Sequence, residues 1–450
     1  MLFRFFVVFL LLTSQIGFSQ VKFENFDDLQ ALLTAAKTRN KLIFVQTKSD
    51  NCNQCNDVAR AGLSSTKLRE KYAQNFISVE IDSKSKIYWQ LLEKTGLRGL
   101  PPSTFFDAEG ALIYQFAMTT SAEMKYLEVA DEAIANANNP ASKEFEMKYK
   151  NGNRDKAFLK KYIEYKLSVE QEADKLVDEY IDQHTIGDLS TIDNVKFLMS
   201  TAPALDSKAR KIMYVLLPEK TVDSLFRALP LSERVKINNQ IINKTTRIAV
   251  RQKNVVLANR LSSFVAGTYD SDWEKANFFN QITMLNFFNA IKDTPNYLQR
   301  AEPFAEYTLM RYSPDSLLKK EEIARTRSLE RSRAEVKKEG RVEIAYASFY
   351  NRYASELNNI AFNFLTYSND LEKLVKALKW SKRALEINEE LAMDKSRKKN
   401  PYMMDTYAQL LFKLGQKEEA IKWQTDVIET AKLWKADTTK FEETLEKMKK

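Results

Sequence analysis

The residues best placed to do chemistry are the chain's only two cysteines, in Cys52-Asn53-Gln54-Cys55. Two thiols three positions apart can exchange with another disulfide. A thiolate attacks one sulfur, a mixed disulfide forms, and the second thiol resolves it. As a staple the pair is weak, because closing so short a loop removes little entropy from the unfolded chain. The pairing therefore reads as chemical. A metal site needs more ligands than two thiolates, and there is no third Cys and no nearby His. The one histidine, His184, excludes mechanisms that need two imidazoles. It lies in Asp182-Gln183-His184-Thr185 and reads as an ordinary surface residue. No metal and no cofactor is expected.

A reactive first thiol belongs at a helix N-terminus, where the macrodipole and unpaired backbone N–H groups favour thiolate. Leu42-Ile43-Phe44-Val45 is a short apolar run, as a buried parallel strand should be, and a helix is expected from about Cys52 to Ala61. That order makes Cys52 the nucleophile and Cys55, one turn deeper, the resolving thiol. Before the strand, Leu29, Leu32, Leu33 and Ala36 mark a helix over Asp27–Arg39. After the cysteines come a helix at Leu68–Gln74, a strand at Phe76–Asp82 and a helix at Lys86–Lys94. Thr104–Phe106 and Leu112–Tyr114 flank a hairpin turn, Asp107-Ala108-Glu109-Gly110. A helix over Ser121–Ala137 closes the region, with Ser121 as its cap and Met124, Leu127, Val129 and Ile134 as its apolar positions.

Residues Lys22 to Asn136 resemble the thioredoxin-like superfamily, close to its exported bacterial members. The resemblance is carried by Lys41–Val45 leading into Cys52-x-x-Cys55, by Gly96-Leu97-Arg98-Gly99-Leu100-Pro101, and by Phe105-Phe106-Asp107-Ala108-Glu109-Gly110. It implies an α/β thioredoxin-like domain over 20–138. It also implies a substrate-docking cis-proline beside the cysteines, at Pro101 with Pro102 as the alternative. Four positions depart from the family: Asn51 replaces a common Trp, Gln46 replaces a buried carboxylate, and Asn53-Gln54 replaces Gly-Pro. Gln46 cannot titrate, so a usual proton acceptor for the resolving thiol is missing. Asp50 disfavours thiolate at Cys52, and Lys48 opposes it.

Residues 1–19 read as a secretory signal peptide: Arg4 is its positive region, Phe5–Leu12 its apolar run, and Gly17-Phe18-Ser19 its small-x-small cleavage pattern. The run is shorter than the ~20 residues a bilayer requires. An exported chain is expected, in the periplasm of a Gram-negative bacterium, with no stable membrane span. Disulfides persist in such compartments.

The linker Asn136–Ala141 leads into residues 139–450, which hold no convincing strand. With 10 Gly and 10 Pro in 450 residues, breakers are scarce and helix dominates. Breaks fall near Gly152, Gly187, Pro203, Pro218, Pro230, Pro295 and Pro314. Late in the chain Ala377-Leu378-Lys379-Trp380 matches Ala420-Ile421-Lys422-Trp423. Each follows a helix bearing a small residue, Ala361 or Ala408, and Gly415 turns the chain in the second copy. These features resemble the tetratricopeptide repeat, over about 350–435. Val427 stands where a late Ala is usual, and Ser368–Leu374 is an insertion in the first copy. The fold class is thus an α/β thioredoxin-like domain followed by a large all-α, tetratricopeptide-like region.

The 69 basic and 60 acidic residues, net +9, are interspersed, as on a solvated helical surface, and no nucleic-acid partner is expected. The dense run Leu318–Arg341 reads the same way. Together these readings describe an exported thiol–disulfide oxidoreductase. Its partners would be protein clients with thiols or disulfides, a redox partner, and a protein bound by the helical region. The alternative is a non-catalytic binding scaffold whose thioredoxin-like domain is degenerate.

Overall fold

A computed structural model describes residues 20–49, 52–95, 97, 99–168, 171–269, 272–339, 348–392, 397–434 and 436–450. The expected signal peptide, together with Asp50, Asn51, Gly96 and Arg98, lies outside the described residues. The chain forms two compact units, one ending at His184 and one beginning at Thr185.

The first unit runs α1 (Leu29–Arg39), β1 (Leu42–Thr47), α2 (Asn53–Gly62), α3 (Thr66–Asn75), β2 (Phe76–Ile81), α4 (Lys86–Thr95), β3 (Ser103–Phe106), β4 (Leu112–Phe116) and α5 (Glu123–Ala137). Helices α6 (Pro140–Lys150), α7 (Lys156–Ser168) and α8 (Asp174–Asp182) complete it. The four strands form one mixed sheet in the order β2-β1-β3-β4. β1 pairs in parallel with β2 and antiparallel with β3, and β3 and β4 form the antiparallel hairpin. The connection from β1 to β2 passes through α2 and α3, as a parallel pair requires.

Strand β1 is central, which is why its apolar run is continuous. Phe44 faces one layer with Tyr72, Phe105 and Tyr126, while Ile43 and Val45 face the other with Leu32, Ile77 and Leu91. The period of two along the strand thus fills both cores. Phe44 meets Tyr72 edge-on at 4.8 Å, and Tyr72 donates its hydroxyl to the Tyr126 carbonyl at 3.1 Å. Ser65 caps α3 through the Leu68 N–H. Ser121 does not cap α5. The N-cap is Ala122, whose N–H is taken by Thr120 Oγ1 at 3.1 Å, and Met124 points into solvent. The turn around Thr120 displaces the helix start by two residues.

Helices α6 to α8 group with the sheet rather than with the later helices. The Gln171 side chain, just before α8, donates to the Leu112 carbonyl on edge strand β4 at 2.7 Å. His184 is half-buried, its Nδ1 2.7 Å from the Tyr180 carbonyl at the end of α8.

Among its described residues the second unit's regular secondary structure is all helix. It runs α9 (Ile186–Leu189), α10 (Ile192–Ser200), α11 (Lys208–Leu216), α12 (Glu219–Arg227), α13 (Leu231–Gln252), α14 (Val255–Gly267), α15 (Trp273–Ala290) and α16 (Thr294–Phe304). A π-helical turn over Ala305–Leu309 precedes α17 (Pro314–Glu339), α18 (Asn351–Tyr367), α19 (Leu371–Leu391), α20 (Pro401–Lys413), α21 (Lys417–Leu433) and α22 (Thr439–Lys449). Pro218, Pro230, Pro295 and Pro314 all sit at helix starts, where a missing N–H costs nothing.

The last five helices contain two hairpins, α18/α19 and α20/α21, followed by α22. Ala361, Ala377, Ala408 and Ala420 are fully buried, and such small side chains let helices pack closely. Phe364 packs edge-on against Trp380 at 4.9 Å. Gly415 adopts φ +83 between α20 and α21, a conformation that glycine supplies without a Cβ penalty. Lys413 donates to the Leu365 and Ser368 carbonyls at 2.7 and 2.8 Å, tying one hairpin to the next. Among the described residues no helix is long and apolar enough to cross a membrane.

Candidate redox site

The site begins where central strand β1 ends. Cys52 is the N-cap of α2, and its Sγ accepts the Cys55 N–H at 3.2 Å. The two cysteines form a disulfide, with Cα atoms 5.2 Å apart, and both are half-buried. No acidic residue occupies the first turn of α2, so nothing there offsets the positive end of the helix. Once the bond is reduced, the same backbone N–H groups favour thiolate at Cys52. Asp57, further along, is paired with Arg60 at 2.7 Å.

The last residue of β1 and the two after it are held at three points. Thr47 donates its N–H to the Pro102 carbonyl at 2.8 Å, and Lys48 donates to the Ile81 carbonyl at 2.7 Å. The third is a reciprocal clamp: Asn56 Oδ1 accepts the Ser49 N–H at 2.9 Å, and Asn56 Nδ2 donates to the Ser49 carbonyl at 3.0 Å. Asn56 was not singled out by sequence reasoning. An available signal was an Asn directly after the second cysteine, inside a helix where Asn is a poor former.

Gln46 is 3% exposed and accepts the Ser103 hydroxyl at 3.1 Å, its antiparallel partner on β3. The position that could have carried a carboxylate is thus a buried, neutral, hydrogen-bonded pair. Lys48 pairs with Glu80 at 3.4 Å. The Thr47 hydroxyl is buried without a hydrogen-bond partner among the described residues.

The cis bond expected at Pro101 or Pro102 is absent: no peptide bond among the described residues is cis. The Leu-Pro-Pro run stays trans and feeds straight into β3, with the Pro102 carbonyl already bonded to β1. Residues before proline favour this extended backbone. Among the described residues no group of three or more His, Cys, Asp or Glu side chains could hold a metal ion. No protein-family model matches the sequence, and no curated protein matches it at a significant level.

Proposed function

We propose that the first unit contains a thioredoxin-like domain over residues 20–138 and that the protein is an exported thiol–disulfide oxidoreductase. The observation that carries this reading is Cys52 at the N-cap of the helix that follows the central strand, paired with Cys55. The sheet order β2-β1-β3-β4, with β3 and β4 antiparallel to β1, supports it as the arrangement of the thioredoxin core.

In the reductive direction Cys52 thiolate attacks a client disulfide. A Cys52–client bond forms, the client bond breaks, and one client sulfur leaves as thiolate and takes a proton from water. Cys55 then attacks Cys52 Sγ, which releases the second client thiolate. The client gains two electrons and the cysteine pair loses them. A dithiol donor must return them. Run backwards, the same steps oxidise a client. Pro101, or Pro102, lies just before β3 and would contact client backbone in its trans form. The tetratricopeptide-like hairpins at about 350–435 would recruit a protein partner.

The test uses residues 20–450 with a disulfide-bonded peptide. Cys55→Ser is expected to accumulate a mixed disulfide at Cys52, and Cys52→Ser to give none. Reaction first at Cys55, or no adduct in either variant, overturns the assignment. Export is tested by fusing residues 1–19 to a reporter active only outside the cytoplasm. An inactive reporter overturns that part.

A second reading rests on Gln46. Gln46, buried and bonded to Ser103, is neutral and cannot accept a proton from Cys55, as a carboxylate at that position could. In that reading the domain is a degenerate module of a binding scaffold, and replacing both cysteines by Ser leaves partner binding unchanged.

A further inference from the structure

The second unit holds a cavity of about 490 Å³ between α15, α16 and the π-helical turn. Its polar lining includes Asn277, Gln281, Gln299, Arg300 and Thr308, and no carboxylate. Among the described residues no hydrogen bond engages the side-chain amides of Asn277, Gln281 or Gln299. Each therefore offers both a donor and an acceptor. On the far side Asn296 gives its amide N–H to Asp293, the N-cap of α16.

Arg300 is the unusual member. Among the described residues its Nε is buried without a partner, and its one hydrogen bond is a long one, Nη2 to Asn280 Oδ1 at 3.4 Å. Partial burial lowers its pKa, so the cation is held in a place that disfavours charge. A desolvated guanidinium without a counter-ion is unfavourable, and a carboxylate fits its planar fork with two parallel bonds.

The backbone is shaped there too. Pro303 lies inside α16 and has no N–H to give the Gln299 carbonyl, one turn back in the cavity wall. The chain then runs as a π-helix over Ala305–Leu309, carrying Thr308 into the same wall. Such bulges disturb helix hydrogen bonding and concentrate at functional sites. The two rings of the lining, Phe288 and Phe304, are 7% and 4% exposed, so neither presents a face for a sugar to stack on. Amide side chains instead complement peptide N–H and C=O groups.

From this set of groups we propose that the cavity binds an extended peptide through one carboxylate, its C-terminus or an acidic side chain, seated on Arg300. The amides of Asn277, Gln281 and Gln299 pair with the peptide bonds beside it. The cysteines take no part.

The probe is a panel of dye-labelled heptapeptides built from Ala and Ser. Each is made with or without one Glu, as the free acid or the C-terminal amide, and binding to residues 20–450 is read by fluorescence anisotropy. Peptides with a carboxylate are expected to bind at least ~10-fold more tightly than the neutral amides. Loss on amidation identifies the C-terminus as the anchor, and loss on removing Glu identifies the side chain. Arg300→Gln is expected to weaken binding by about 10- to 100-fold. Asn277→Asp adds a carboxylate to the same cavity. It is expected to abolish binding without lowering the melting temperature, which separates loss of the site from loss of the fold. The double Cys52→Ser/Cys55→Ser variant is expected to bind as the parent does. Neutral amides binding as tightly as acids, unchanged binding in both cavity variants, no binding by any peptide at millimolar concentration, or tighter binding of an oligogalacturonate would each overturn the proposal.

Discussion

Replacing Gln46 by Glu tests how the cysteine loop is supported, because the change is nearly isosteric and adds only a titratable group. Gln46 is 3% exposed and has one side-chain partner, the Ser103 hydroxyl. A carboxylate there is desolvated, which raises its pKa by about 3–5 units above the ordinary ~4.3 of Glu. The folded state then holds the proton more tightly than the unfolded state. Stability falls as pH rises from ~4.3 towards the folded pKa. At ~1.36 kcal/mol per unit the gap to the parent protein is about 2 kcal/mol at pH 5.8 and approaches ~3.7 kcal/mol at pH 7. The Ser103 hydroxyl, donating to the charged form, lowers the folded pKa by about 1 unit, so the gap levels off at a lower pH. The net expectation is a gap near zero at pH 4 and about 2–3 kcal/mol at pH 7. Pulse proteolysis in urea, scored on fragments containing β1 and β2, reads the first unit separately from the second. A gap that is constant between pH 4 and 7, or that closes as pH rises, would refute the burial argument.

Three other perturbations follow from the geometry. Asn56→Ala removes both bonds to Ser49 and regains some helix propensity, for a net loss of about 1 kcal/mol. Its Ser49 amide should exchange faster with solvent, and unchanged exchange would contradict the clamp. Gly62→Ala places a Cβ 2.4 Å from the Thr120 carbonyl oxygen and 2.5 Å from Tyr126 Cε2. Overpacking of that kind costs about 1–3 kcal/mol, and an unaltered melting temperature would show that the contact can relax. Asp405 is held between Gln424 and Gln409, and burial raises its pKa above 3.8 despite their hydrogen bonds. A raised carboxyl pKa weakens the fold as pH climbs through it, so Asp405→Asn should stabilise the second unit at pH 7, with the advantage shrinking towards pH 4. An advantage that grows on acidification would reverse the sign.

The strands and most helices of the first unit were legible because their burial is one-dimensional in the sequence. The run Leu42–Val45 is apolar throughout because β1 is central and covered on both faces, and it lies within the observed strand. Cys52 caps the helix that follows β1, as the order of strand and then cysteine pair implies. The start of α5 differs from the pattern because Ser121 has the right residue type for a cap, while Thr120 makes the local bond. What pattern cannot show is pairing across the chain. The Asn56–Ser49 clamp, the Gln46–Ser103 bond and the attachment of Gln171 to β4 are contacts between residues whose types alone suggest nothing. The trans bonds at Pro101 and Pro102 likewise have no marker in the residue types. In the second unit Gly415 marked its turn by residue type. Pro303 gave no warning, because a proline inside a helix usually signals an end, and here it precedes a π-helical turn.

The most direct measurement is the rate and equilibrium of exchange between Cys52–Cys55 and glutathione, on residues 20–450. A pair at a helix N-terminus that serves as a redox centre should equilibrate within minutes. Its reduction potential would fall between about −270 mV, the thioredoxin end, and about −120 mV, the strongly oxidising end. A pair that fails to exchange over hours would contradict an oxidoreductase and leave a scaffold whose cysteines form an inert local disulfide.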